Sequence, residues 1–116
     1  MERGHQSPYA KALRLLVRKG GGDEILDRLL VSALIEARSC ERFAVLAEAA
    51  SEDAELAAFY KALFSSEMGH YKVFLKLAAK VAAKEIVDAR WQKLLAAEAR
   101  IISEQTPGPR IHSGPY

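Results

Sequence analysis

The chain has 116 residues, enough for one modest hydrophobic core, and its 17 Lys and Arg against 15 Asp and Glu leave a net charge of +2. No apolar run reaches the ~20 residues that span a bilayer. The start Met-Glu-Arg-Gly-His lacks the apolar core of a secretory signal, and the single Cys40 excludes an internal disulfide. Hydrophobic residues make up 50% of the chain, mostly Ala and Leu, and three of the four prolines fall in the last ten positions. Strand-like alternation is lacking, so the composition predicts an all-α protein in one domain over 1–116, with irregular tails at 1–7 and 106–116. A lone cysteine fits a reducing cytoplasm.

Pro8 suits a first helical turn capped by Ser7, and the spacing predicts a short helix from about Pro8 to Lys19, ended by Gly20-Gly21-Gly22. Asp23 and Glu24 then open a long second helix, to about Ala50, where negative charge suits the dipole. At 100° per residue its stripe is Leu29, Ala33, Glu36, Cys40, Phe43 and Ala47, so Glu36 is a carboxylate inside an apolar seam. Glu41 falls on another face, and Arg38 and Arg42 on a third. Ser51-Glu52-Asp53 reads as a turn, with Ser51 as the cap of a third helix that runs to about Ala83. Its stripe, Phe59, Leu63, Glu67, His70, Phe74 and Leu77, is again interrupted by titratable residues. Gly69 beside them costs the helix about 1 kcal/mol relative to Ala. A fourth helix, about Glu85 to Glu104, stops before Thr106-Pro107-Gly108-Pro109.

The constellation with chemical content is Ser66-Glu67-Met68-Gly69-His70-Tyr71. Glu67 and His70 share one helix face a turn apart, the Glu-x-x-His spacing of carboxylate-bridged di-iron bundles. Taken alone it is a weak motif, and a core histidine or a marginal glutamate explains either residue equally well. A hairpin of helices two and three around Ser51 brings Glu36 to nearly the same depth as Glu67, whereas Glu41 is offset by about 7.5 Å. Glu36, Glu67 and His70 then form half of a di-iron site, with ligands suited to iron or manganese rather than structural zinc. No hydrolase triad, phosphate loop or Cys-x-x-Cys is present.

Three stretches resemble the MiaE family: Leu34-Ile35-Glu36-Ala37-Arg38-Ser39-Cys40-Glu41-Arg42-Phe43, Ser66-Glu67-x-x-His70-Tyr71, and His112-Ser113-Gly114-Pro115. The resemblance covers nearly the whole chain but only the C-terminal half of the family pattern. It implies a ferritin-like non-haem di-iron monooxygenase that hydroxylates the isopentenyl group of a hypermodified adenosine in tRNA. Glu36, Glu67 and His70 then correspond to iron ligands, and no catalytic residue is implied beyond them. The family's other Glu and Glu-x-x-His lie in a helix pair that these residues do not contain, so the chain is expected either to be a fragment or to draw the missing half from another chain.

The expected function is O2-dependent hydroxylation of tRNA by two irons per completed site, with an unidentified electron donor. The rival readings are a non-catalytic ferritin-like dimer and an inactive truncated half. Two long helices with wide apolar faces, and only two shorter ones to cover them, lead to the expectation of a homodimer that closes a four-helix bundle. Arg38, Arg42, Arg90 and Arg110 are candidates for phosphate contacts, though a solvated face is the commoner role for each.

Overall fold

The computed structural model describes residues 7–105. Among them the chain forms four helices and no strand: α1 (Pro8–Arg14), α2 (Gly21–Ala49), α3 (Ala54–Val81) and α4 (Lys84–Gln105). The fold is all-α and ferritin-like, a long antiparallel hairpin of α2 and α3 with two flanking helices. The expected tails at 1–6 and 106–116 lie outside the described residues. Ser7 is the expected cap of α1, its hydroxyl accepting the Ala10 N–H at 3.1 Å.

Four boundaries differ from the sequence reading; one is the start of α2, at Gly21 rather than Asp23, so Gly21 and Gly22 belong to the helix. Helix α1 stops at Arg14 rather than Lys19, because the next residues serve another bond. The Arg18 backbone N–H donates to Asp27 at 2.9 Å, so it cannot continue the helical ladder. Gly20, at φ 95°, then supplies a left-handed turn closed to most residues. The cap of α3 is Asp53, not Ser51: its carboxylate accepts the Leu56 N–H at 3.1 Å. Helix α3 also ends two residues early, at Val81, where Ala82 turns extended.

α2 and α3, of 29 and 28 residues, are each about 40 Å long. The core sits at the end remote from their turn. Leu13, Val17, Leu26, Leu30, Val31, Leu34, Ala78 and Leu94 form it, so α1 and α4 cover the first half of α2 and the last turns of α3. Nearer the turn the hairpin is held mainly by small contacts, with Cys40, Ala47 and Ala57 buried and Phe43 stacked on Tyr60 at 6.4 Å between ring centroids.

Asp27 pins the covered end together. Its side chain is 0% exposed and takes two two-pronged guanidinium contacts. Arg18 donates through Nε at 3.0 Å and Nη2 at 2.9 Å, and Arg90 of α4 through Nε at 2.9 Å and Nη2 at 2.8 Å. Burial pushes this carboxyl up, but the hydrogen bonds from Arg18 and Arg90 outweigh it and hold the pKa at about 2, below the ordinary 3.8. A carboxyl lowered on folding stabilises the fold above its unfolded pKa and loses that contribution as pH falls toward its folded one. Acid titration followed by circular dichroism is expected to lose about 2 kcal/mol from this group between pH 4 and pH 2. Asp27→Ala leaves two arginines facing one another and is expected to cost about 3–5 kcal/mol in urea melts at neutral pH.

Candidate metal centre

α2 contributes Glu36, and α3 contributes Glu67 and His70 three residues apart on one face. The structure brings all three together. His70 Nδ1 lies 4.0 Å from Glu36 Oε1 and 3.8 Å from Glu67 Oε1, and one ligand atom from each residue falls within 4.8 Å of the others. Ligand atoms bound at about 2.1 Å around one ion stand roughly 3–4 Å apart, so a small contraction brings the three onto a single cation. The glutamates are 23% and 24% exposed and the imidazole 58%, so the group lies half-buried with its histidine on the open side. Glu41 takes no part: it is exposed, and its Oε2 accepts Arg38 Nη1 at 2.7 Å.

What marks this cluster is the lack of compensating charge. The other acids withdrawn from water carry arginines. Glu98 of α4, buried, accepts Arg38 Nε and Nη2, both at 2.6 Å, and the Tyr9 hydroxyl at 2.6 Å. Burial pushes the Glu98 carboxyl up, and the bonds from Arg38 and Tyr9 bring it below the usual range. The same contacts push Tyr9 far up, burial first and the Glu98 hydrogen bond second. Glu36 and Glu67, by contrast, have no Lys or Arg partner among the described residues, only His70 between them. Two half-buried carboxylates facing one imidazole repel one another and leave lone pairs free, which a divalent cation relieves. Two oxygen donors and one nitrogen donor fit iron or manganese.

The arginines proposed for phosphates sort differently from the sequence reading. Arg38 and Arg90 are held inside the fold by Glu98 and Asp27, because a buried carboxylate attracts the nearest guanidinium more strongly than water does. Arg42 is exposed, and Arg110 lies outside the described residues. Sequence reasoning missed Asp27 and Glu98 altogether. Each is an acid on an apolar stripe, Asp27 one turn from Leu30 and Glu98 one turn from Leu94, and that signal was available. Cys40, one turn beyond Glu36, is buried with its Sγ 3.8 Å from the Phe64 carbonyl oxygen, and burial pushes its thiol up, so it acts as a small core residue.

The sequence profile described as tRNA-(MS[2]IO[6]A)-hydroxylase (MiaE) matches residues 2–113. This chain belongs to the MiaE family. Two curated members, from Pseudomonas putida and Salmonella typhimurium, each 42% identical to it, bear the name tRNA 2-(methylsulfanyl)-N(6)-isopentenyladenosine(37) hydroxylase. The matches cover 91% and 93% of this chain but only 51% and 39% of those relatives, so it spans about half their length or less. No solved structure matches significantly. No helix among the described residues is long and apolar enough to cross a membrane.

The contrast between the two kinds of acid is testable without metal. Glu36→Gln and Glu67→Gln are expected to leave the urea midpoint of the metal-free chain at pH 8 unchanged or raised, since neither strands a cation. Glu98→Gln takes the charge from under Arg38 and is expected to cost about 2–4 kcal/mol.

Proposed function

We propose that this MiaE-family chain takes part in hydroxylating the isopentenyl group of a modified adenosine in tRNA, on iron held by Glu36, Glu67 and His70. The observation that carries the reading is the meeting of these three side chains at one depth with no cation to neutralise them. The names of the two relatives support the reaction and the substrate. Bound iron supplies activation of O2 for attack on an unactivated C–H bond, which no side chain achieves unaided; O2 and an electron donor are co-reactants. The protein's own part is electrostatic and positional. Glu36 and Glu67 bring negative charge to the ions, His70 brings a neutral nitrogen, and the helical frame fixes their spacing. The free, buried Cys40 suits a reducing cytoplasm.

The site is completed, in this reading, by a second copy of the chain. Around His70, α3 carries Phe59, Val73 and Leu77, exposed by 56%, 52% and 42%. Around Glu36, α2 carries half-buried Leu29, Phe43 and Leu46. At 100° per residue these side chains form one apolar surface with the cluster at its centre, continuous over both helices. Surface of this length suits a stable interface of about 1,600 Å² in total. Two copies about a two-fold axis bring together two carboxylates from each chain, and these four negative charges match two divalent ions.

Iron content after anaerobic reconstitution is expected to fall to background in Glu67→Ala and His70→Ala, with the wild type loaded; equal iron in all three removes the ligand assignment. Analytical ultracentrifugation of the loaded wild type is expected to show a dimer at micromolar concentration, and a folded monomer there overturns the assembly. Nucleoside mass spectrometry of tRNA incubated with loaded protein, reductant and O2 is expected to show the hydroxylated base. Its absence from loaded, dimeric protein leaves iron binding standing and rules out the enzymatic reading.

A further inference from the structure

The outer face of α3 breaks two local rules at once. Lys72, Lys76 and Lys80 follow one another at intervals of four, which stacks like charges on neighbouring turns and works against the helix. Elsewhere the fold uses that spacing favourably, as in Lys84–Asp88 at 2.6 Å and Arg28–Glu24 at 2.8 Å. None of the three lysines, nor Lys61 about three turns before Lys72, has a carboxylate partner among the described residues, and all four are exposed. The second broken rule is Gly69, in mid-helix and exposed. A Cβ built there meets nothing within 4 Å, so packing inside this chain does not require a glycine. A helical glycine with open space in front of it suits the close approach of something from outside.

These residues share one sector of α3, about 100° wide at 100° per residue, and distinct from both the α2 contact and the apolar surface around His70. Between positions 58 and 80 that sector holds lysine, alanine, serine and glycine, without one acid. It is a smooth cationic track about 28 Å long from Lys61 to Lys80. Gly69 lies on it one residue before His70, so the track runs past the depth of the metal cluster, around the helix from it. Three of the arginines are already committed: Arg18, Arg38 and Arg90 are engaged by Asp27 and Glu98.

We propose that this face of α3, from Lys61 to Lys80, is where the phosphate backbone of the tRNA lies. The inference rests on the tRNA reading above and names the surface that reading lacks. Lysines spaced along a helix act as point charges on phosphates, and the small side chains between them let the backbone approach the helix. Such contacts carry no base specificity. They hold the nucleic acid at the depth of Glu36, Glu67 and His70 along α3 and leave selection of the base to other residues.

The test is binding of full-length tRNA bearing isopentenyladenosine, by fluorescence anisotropy across a potassium chloride series. Compared are the wild type, the triple variant Lys72→Ala/Lys76→Ala/Lys80→Ala, and a control triple, Lys11→Ala/Lys19→Ala/Lys93→Ala, which removes three exposed lysines from other surfaces. Alanine favours helix, so circular dichroism is expected to be unchanged. The α3 triple is expected to weaken binding by on the order of tenfold or more at low salt, and to flatten the log–log salt slope by about 2–3. Gly69→Leu, which keeps the charge and obstructs the track, is expected to weaken binding without flattening the slope. If the wild type binds but the α3 triple keeps its affinity and slope, this surface is wrong and the tRNA reading stands. An equal loss in the control triple shows that net charge alone is at work and overturns the proposal. If the wild type binds no tRNA, both readings fall together.

Discussion

Asp53 caps α3 four residues after α2 ends, and this short connection sets the depth at which each residue of one long helix meets the other. Glu36 lies fourteen positions before Ala50 and Glu67 fourteen after Asp53, so the two carboxylates meet because the arms are equal. One residue inserted in either arm turns everything beyond it by about 100° and shifts it by about 1.5 Å. In the α2 arm such an insertion would turn Glu36 out of the seam, and in the α3 arm it would turn out Glu67 and His70. The site therefore depends on a turn well away from it along the helices.

The fold treats its withdrawn acids in two ways. Asp27 and Glu98 sit at the covered end, each gripped by arginine, and they tie α1, α2 and α4 into one unit. Arg38 is the link to the other kind. It lies two residues after Glu36, and its contact with Glu98 across 60 positions fixes how far α2 is rotated about its axis. The paired acid of α4 thereby sets the direction from which the unpaired acid of α2 reaches His70. Neutralised acids hold the frame, and the acids without a Lys or Arg among the described residues meet at His70.

This division also explains what could be read in advance. The long hairpin and the meeting of Glu36, Glu67 and His70 follow from periodicity and from equal arms, both written in consecutive residues. Asp27 and Glu98 gave the same local signal as Glu36, an acid on an apolar stripe. What separates the two classes is a guanidinium that arrives from far along the chain, from Arg90 to Asp27 and from Arg38 to Glu98. No spacing rule supplies that. The end of α1 was missed for a related reason, since Arg18 leaves the helix to reach a carboxylate nine residues on. The cap of α3 was misplaced within a run, Ser51-Glu52-Asp53, in which more than one residue has the chemistry of a cap.

The position of the core has a consequence for motion. Core residues on α2 end at Ile35 and those on α3 begin at Leu75, so Glu36, Glu67 and His70 stand where the well-covered end gives way to a bare two-helix arm. Fewer buried contacts there lead to the expectation that backbone amides of that arm open locally at lower free energy than those around Leu30 and Leu94. In the proposed reading, an ion drawn between α2 and α3 at this boundary would clasp the base of the arm. Part of its binding free energy would then go into ordering the arm beyond it, coupling affinity for the ion to order in the arm.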